Sequence, residues 1–191
     1  ITYNLNPNPL DFLPKLPNRR WGFNQRNRVC QMKIVIYGAN GAMGPHVIRA
    51  LEHNHSLRLS DVGDLYDGKH EYHKIDVSDI DSVVAAAEGM DAIINLSVLR
   101  DNRKLAFDVN TRGCFNVMNA AVTHRIRRVI NTGPHFTIAG STYEAFDQQI
   151  GPDIPPQPGT NLYALTKSLG HEICRIFTNN HDLYVIGLFF Y

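Results

Sequence analysis

The sequence has few cysteines, no long apolar run and no excess of either charge, and each shortage excludes a class of protein. Its three cysteines are odd in number and widely separated, which indicates reduced thiols and favours a cytoplasmic protein. No apolar run approaches the ~20 residues of a membrane span, and we expect no signal peptide. With 19 Lys and Arg against 18 Asp and Glu, the chain has no basic footprint for nucleic acid.

The length and the distribution of prolines predict one folded domain behind an irregular N-terminal part. A chain of 191 residues can bury one good core but not two large ones. Residues 1–31 hold four prolines and several arginines, which predicts a Pro-rich, basic extension. Residues 32–191 carry the regular apolar pattern of a domain. The nine histidines lack metal-ligand spacing, so we predict no metal site.

Residues 33–44 are the most informative stretch of the chain. An apolar run at 34–37 predicts a buried parallel strand, and a helical pattern begins at Gly44. The turn between them should direct backbone N–H groups at an anion above the helix N-terminus. Gly38 would permit the tight turn, Gly41 the approach of a diphosphate, and Gly44 close packing of the helix on its strand. The predicted dinucleotide contacts in this turn are Gly38, Asn40, Gly41, Ala42, Met43 and Gly44.

An acidic residue follows at the distance that a dinucleotide site requires. Asp61 ends the second apolar run, and there its carboxylate can accept hydrogen bonds from the ribose hydroxyls of the adenosine. The same charge would repel a 2′-phosphate, so the sequence favours NAD over NADP. The alternative is a glycine-rich connector followed by a solvated aspartate.

From residue 32 the chain alternates between strand and helix patterns. We predict strands at 34–37, 57–62, 72–76, 91–96, 127–132 and 183–190, and helices after Gly44 and at 78–88, 104–124 and 162–177. Ser78 is the expected N-cap of the second helix. Glycines and prolines at 139–161 predict a loop. This order predicts an α/β protein with a doubly wound parallel sheet, the Rossmann fold.

A tyrosine and a lysine one helical turn apart are the candidate catalytic pair. Tyr163 and Lys167 project from one face of the last predicted helix. A phenol with a pKa near ~10 is a poor base at neutral pH, and a nearby ammonium favours the phenolate. Such a phenolate can take the proton of a substrate hydroxyl while hydride leaves the same carbon.

The order of these motifs resembles the extended short-chain dehydrogenases/reductases, which are NAD-dependent epimerases and dehydratases. The resemblance runs from about residue 32 to the end. It implies that Asp76 and Val77 border the adenine and that Leu96 and Ser97 pass beside the cofactor. It also implies that Asn110 belongs to a catalytic water relay, that the protein is a homodimer through 104–124 and 162–177, and that a C-terminal substrate-binding segment is apparently missing.

A narrower resemblance links residues 57–61 and 151–167 to uronate dehydrogenases and related sugar dehydrogenases. That pattern has a hydroxyl residue after the fifth strand, and here Gly133 falls there. Thr132 is the candidate replacement and Thr137 the second. His135 matches a family histidine that could hydrogen-bond a sugar hydroxyl, unless it is only packed under Pro134.

One departure from the family pattern concerns the substrate. The family arginine that binds a uronate carboxylate falls at Phe189, which favours a neutral sugar or a nucleotide sugar. The main hypothesis is an NAD-dependent oxidoreductase of a sugar or sugar acid. One alternative is a nucleotide-sugar epimerase or dehydratase that recycles NAD, and another is an inactive dinucleotide-binding sensor or scaffold.

Overall fold

The computed structural model describes residues 30–64, 68–135, 137 and 156–190. The strands are β1 (Lys33–Tyr37), β2 (Ser56–Asp61), β3 (Glu71–Lys74), β4 (Ala92–Asn95), β5 (Arg128–Pro134) and β6 (Tyr184–Phe190). The helices are α1 (Gly44–Leu51), α2 (Ile80–Ala87), α3 (Arg103–Phe107), α4 (Gly113–Thr123) and α5 (Leu162–Asn180). None of these helices is long and apolar enough to cross a membrane.

The six strands form one parallel sheet in the order β3-β2-β1-β4-β5-β6. The chain builds outward from β1 in one direction and then returns to add β4 on its other side. In such a sheet the carboxyl ends of β1 and β4 diverge and leave a crevice for a ligand. The predicted doubly wound Rossmann fold is therefore confirmed.

Strand alternation divides the core into two layers. Val35 and Tyr37 of β1 face the cluster formed with α2, α4 and α5, whereas Ile34 and Ile36 face the side of α1. The hydroxyl of Tyr37 donates to the carbonyl of Val83 at 2.7 Å, which ties β1 to α2. Because both faces of β1 are covered, its apolar run is continuous rather than alternating.

The predicted helix at 104–124 is one continuous helical stretch with a wider turn in its middle. A π-helical segment, Asp108–Arg112, joins α3 to α4. In it the N–H of Gly113 donates to the carbonyl of Asp108, five residues back. π-helical turns occur frequently at functional sites, and this one contains Asn110.

Other boundaries differ by a few residues from the prediction. The N-cap of α2 is Asp79 rather than Ser78, because the N–H of Ser78 is held in a turn by Oδ1 of Asp76 at 2.8 Å. Helix α5 begins at Leu162, as predicted, and continues to Asn180; its N-cap is Asn161, whose side chain accepts the N–H of Ala164. The predicted extension at 1–31 and loop at 139–161 lie mostly outside the described residues.

Replacing Gly44 by alanine should destabilise the fold strongly. A Cβ at Gly44 would lie 1.8 Å from the carbonyl oxygen of Ala39, so α1 and the end of β1 would have to separate. We expect Gly44→Ala to lower the free energy of unfolding by ~3 kcal/mol or more in urea titrations. Gly63→Ala is the matched control, since its Cβ would meet only side-chain ends, Nδ2 of Asn40 at 3.3 Å and Oδ1 of Asp61 at 3.9 Å. Equal stability of the two variants would contradict this packing.

Candidate active site

The glycine turn after β1 is packed against two neighbouring strands. Gly38 has a φ of +77°, and a Cβ on it would lie 2.6 Å from the backbone nitrogen of Ser97. The N–H groups of Gly38 and Ala39 both donate to the carbonyl of Ser60, at 2.9 and 3.1 Å. Only glycine combines this conformation with this approach, so Gly38 fixes the turn beside the end of β4.

Two adjoining cavities follow the carboxyl edge of the sheet, with volumes of about 290 and 460 Å³. They share the lining residues Gly38, Gly41, Leu96 and Val98, so they lie side by side at the switch point, and the pair is the groove of this site. Of the predicted residues, the first cavity is also lined by Asn40, Asp61, Asp76, Val77 and Ser97. The second is also lined by Ala42, Met43, Thr132, Tyr163 and Lys167. Gly44, Asn110 and His135 line neither.

Asp61 lies at the rim of the first cavity and closes the glycine turn. Its Oδ2 accepts the N–H of Asn40 at 2.9 Å, and its Oδ1 accepts the N–H of Gly63 at 3.2 Å. A carboxylate has about four acceptor positions, so each oxygen retains one for a ligand hydroxyl. This geometry fits the predicted contact with a ribose.

Asp76 and Val77 form the far wall of the first cavity. Val77 is buried, and its carbonyl accepts the side-chain amide of Asn116 at 2.9 Å. A Cβ on Gly113 would lie 2.8 Å from a methyl group of Val77, so α4 packs directly on this residue. Val77 therefore contributes an apolar side chain that is held in place by α4, next to the carboxylate of Asp76.

A buried polar layer fixes the ends of β4 and β5. Asn95 and Asn131 are partners in the parallel register, and the amide of Asn95 donates to Oδ1 of Asn131 at 2.8 Å. Oδ1 of Asn95 also accepts the N–H of Ser97 at 3.2 Å. The hydroxyl of Thr132 donates to the carbonyl of Asn95 at 2.9 Å. The hydroxyl of Thr132 therefore donates its hydrogen bond within the sheet, while its oxygen can still accept a hydrogen bond from a ligand.

Asn110 holds the segment that follows β4 rather than lining the groove. Its Oδ1 accepts the N–H of Leu99 at 3.0 Å, and its Nδ2 donates to the carbonyl of Leu99 at 2.7 Å and to the hydroxyl of Thr166 at 2.9 Å. Both ends of the amide are therefore used between α5 and residues 96–100. The predicted role of Asn110 in a water relay stays a prediction.

Lys167 is buried and reaches across the groove to the segment after β4. Its Nζ donates to the carbonyl of Ser97 at 2.6 Å. Burial lowers the pKa of Lys167 to about 8, although Cys114 and Cys174 oppose this shift. These two thiols lie 3.5 Å apart, between α4 and α5. The amine of Lys167 therefore holds the segment after β4 in place through Ser97, in addition to bringing a titratable group to the cavity.

The surroundings of Tyr163 differ from the expectation. Burial raises the pKa of Tyr163, and the charge and a hydrogen bond of Arg100 oppose the increase. Among the protein's own groups, burial of the phenol outweighs the opposing effect of Arg100. The predicted lowering of this pKa by Lys167 and a cationic nicotinamide stays a prediction. Arg100 was missed because its position in the sequence carries no motif.

The remaining candidates, Thr137 and His135, make hydrogen bonds to backbone carbonyls of β5 and β6. The hydroxyl of Thr137 donates to the carbonyl of Pro134 at 2.9 Å, within the same turn. His135 is buried, its N–H donates to the carbonyl of Phe190 at 2.9 Å, and its Nδ1 lies 3.1 Å from that same oxygen. These contacts favour the packing alternative for His135.

Gly133, at the position of the family hydroxyl, faces an imidazole on α5. A Cβ on Gly133 would lie 2.6 Å from Nε2 of His171. The imidazole also packs against the ring of Phe189, with 4.6 Å between the two ring centroids. Burial and the charge of Lys167 lower the pKa of His171 to about 4, so it is neutral at physiological pH. Within the described residues, its Nε2 has no hydrogen-bond partner. His171 therefore fills the space that a side chain at 133 would need.

The sheet order, the glycine turn and the groove along the carboxyl edge define a Rossmann-type dinucleotide-binding domain. Residues 34–190 match the model of the NAD dependent epimerase/dehydratase family. The chain belongs to that family, which confirms the predicted NAD-dependent epimerase/dehydratase family and its cofactor class.

Several characterised proteins are similar to this chain. The uronate dehydrogenase of Pseudomonas syringae pv. tomato is 27% identical over 82% of this chain and 58% of its own length. The L-arabinose 1-dehydrogenase (NAD(P)(+)) of Haloferax volcanii is 27% identical, over 82% of this chain and 65% of its own. The chain thus spans less than two thirds of either relative.

The fold is also similar to that of a solved structure. A short-chain dehydrogenase/reductase superfamily protein from Agrobacterium tumefaciens, solved with bound NAD, superposes with a TM-score of 0.74 at 23% identity. The match covers 82% of this chain and 48% of that one. This likeness supports the fold.

The buried Lys167 should make the free energy of unfolding depend on pH in the alkaline range. Its pKa is about 8 in the folded protein against 10.5 when exposed, so between these values the unfolded state binds more protons and stability rises with pH. Relative to Lys167→Met, the free energy of unfolding should gain ~1.4 kcal/mol per pH unit in this window and stay level below it. Urea titrations from pH 7 to 10 under reducing conditions measure this difference. A difference that is independent of pH would show that the amine is not buried.

Proposed function

We propose that this chain is the cofactor-binding and catalytic part of an NAD-dependent oxidoreductase that acts on a sugar or sugar acid. The observation that carries the proposal is that the two cavities adjoin along one edge of the sheet. The cavity lined by Tyr163 and Lys167 shares four lining residues with the cavity lined by the glycine turn and Asp61. A dinucleotide bound at one end would reach the phenol at the other.

The described residues fit NAD. The turn at 38–44 would hold the diphosphate at the N-terminus of α1, where the helix dipole favours an anion. The carboxylate of Asp61 would accept the adenosine ribose hydroxyls, and the apolar wall at Val77 would contact the adenine. Bound NAD supplies a nicotinamide that can accept a hydride.

The residues at the second cavity suit proton transfer. Tyr163 would take the proton of the substrate hydroxyl while the carbon that bears this hydroxyl gives its hydride to the nicotinamide, so that the alcohol becomes a carbonyl. Thr132 donates its own proton to Asn95, so its oxygen would accept the hydrogen bond of a substrate hydroxyl. Lys167 would keep the segment after β4 in place through Ser97 and would carry positive charge below pH 8.

The names of the relatives support a sugar or sugar acid as the substrate, because the two curated relatives described above are dehydrogenases of uronate and L-arabinose. The described part of β6 contains no arginine, and Phe189 stands where a carboxylate-binding arginine was expected. We therefore favour a neutral sugar.

A second candidate is a nucleotide-sugar epimerase or dehydratase, which the family description itself includes. Such an enzyme would keep NAD bound and reduce it only transiently, so no net NADH would appear. The third reading, an inactive sensor or scaffold, corresponds to NAD binding without conversion of any sugar.

We also propose that the protein is a homodimer in the cytoplasm. Apolar side chains on α4 and α5 are exposed in the single chain, among them Phe115 (44%) and Ile176 (47%). Both helices lie in the ranges for which the family resemblance implied an interface. A second copy of the chain bound against α4 and α5 would remove these side chains from water.

Removing the phenolic oxygen should abolish turnover while leaving cofactor binding intact. We expect Tyr163→Phe to lower kcat at least ~100-fold, because a general base contributes about that much or more. NADH formation is followed on a panel of aldoses, uronates and nucleotide sugars, and NAD affinity by calorimetry. Tyr184→Phe, an exposed tyrosine on β6, is the control. Full activity of Tyr163→Phe would refute the assigned base.

Neutralising Asp61 should change the choice of cofactor. Asp61→Asn removes a charged acceptor of the ribose hydroxyls, so we expect NAD to bind ~10-fold more weakly and NADP relatively better. Asp64→Asn removes a nearby exposed carboxylate that pairs with Lys74 and should leave both affinities unchanged. Unchanged cofactor preference in Asp61→Asn, with the fold intact by circular dichroism, would place the adenosine elsewhere.

A further inference from the structure

Arg100 lies at the mouth of the second cavity, directly beside the phenol of Tyr163. Its guanidinium carbon is 5.1 Å from the centre of the tyrosine ring, the geometry of a cation–π contact. Both side chains line the same cavity of about 460 Å³. The guanidinium therefore faces the side of the groove on which the proposed base lies.

The position of Arg100 is set by the anchored segment after β4. Lys167 bonds the carbonyl of Ser97, and Asn110 bonds both the N–H and the carbonyl of Leu99, the residue before Arg100. These bonds come from α5 and the π-helical segment, which are regular elements of the fold. The backbone of Arg100 is thus held beside α5, although its side chain is exposed to solvent.

Among the described residues that line the second cavity with Tyr163, two are charged, Arg100 and Lys167. On its own helix the nearest is Lys167, whose Nζ is engaged with Ser97. From β5 the cavity receives Thr132, Gly133 and Pro134, from β6 Phe190, and from the glycine turn only uncharged residues. In the described part of the cavity, Arg100 is the cation in contact with the ring.

We propose that Arg100 is a positioning residue for Tyr163, which holds the ring in the groove and stabilises its phenolate. This inference rests on the proposed function, in which Tyr163 is the base. A cation over the ring favours the phenolate more than the phenol, because ionisation adds negative charge to the oxygen and the ring. Burial alone acts in the opposite direction on Tyr163, and Arg100 opposes it.

The first experiment titrates the phenol itself and needs neither cofactor nor substrate. Tyrosinate absorbance is followed against pH for the full chain and for Arg100→Gln, and the curve of the matching Tyr163→Phe protein is subtracted from each. We expect Arg100→Gln to raise the pKa of Tyr163 by about one unit, the low end for a charge at this distance, because Arg100 is exposed. Arg103→Gln, which removes an exposed arginine at the start of α3, should leave the pKa unchanged.

Arg100→Lys separates charge from stacking. A lysine keeps the charge but lacks the planar group that stacks on a ring, so we expect it to restore part of the shift. Circular dichroism and the urea midpoint establish that each variant is folded. If the pKa of Tyr163 is the same in the parent, Arg100→Gln and Arg103→Gln, the inference is overturned.

The second experiment measures kcat against pH with NAD and any sugar that is turned over. The increase in the pKa of Tyr163 should reappear in the pH profile of kcat, as the same shift of its acidic limb to higher pH. At pH values below the pKa of Tyr163, the kcat of Arg100→Gln should therefore be about tenfold lower than that of the parent. A lower kcat that is equal at every pH would indicate a merely structural role and overturn the inference. A shifted titration without turnover of any sugar would support the contact between Arg100 and Tyr163 and count against the proposed function alone.

Discussion

The site depends on the close approach of two backbone segments at the centre of the sheet. Gly38, at the end of β1, lies so near the nitrogen of Ser97, after β4, that no side chain fits between them. This contact sets the floor of the groove, since both cavities include Gly38 and Leu96. The glycine turn and the end of the groove that is lined by Tyr163 are therefore positioned relative to each other by one backbone contact.

The segment after β4 is the second element on which the geometry depends. It is irregular, and a buried irregular backbone must find hydrogen-bond partners outside a ladder. Side chains provide them: Asn95 bonds the N–H of Ser97, Lys167 its carbonyl, and Asn110 both backbone groups of Leu99. Residues selected as catalytic or relay candidates are thus also structural supports, and their replacement would disturb the groove as well as its chemistry.

The sequence predicted features that depend on neighbours along the chain. Apolar runs located the six strands, the glycine spacing located the turn, and the i, i+4 spacing placed Tyr163 and Lys167 on one helical face. The stacking of Arg100 on Tyr163 and the amide pair of Asn95 and Asn131 were not predictable. They join residues far apart in sequence, and they follow from strand register and from the course of an irregular segment, which no local pattern encodes.

The contact between Gly133 and His171 has a consequence for how this site can evolve. Because Nε2 of His171 occupies the volume of a Cβ at 133, the two positions are epistatic. A serine at 133 would force the present imidazole to move, whereas a smaller residue at 171 would leave room for the hydroxyl. A library that varies positions 133 and 171 together would therefore reach hydroxyl-bearing forms of the groove with less strain than one that varies position 133 alone.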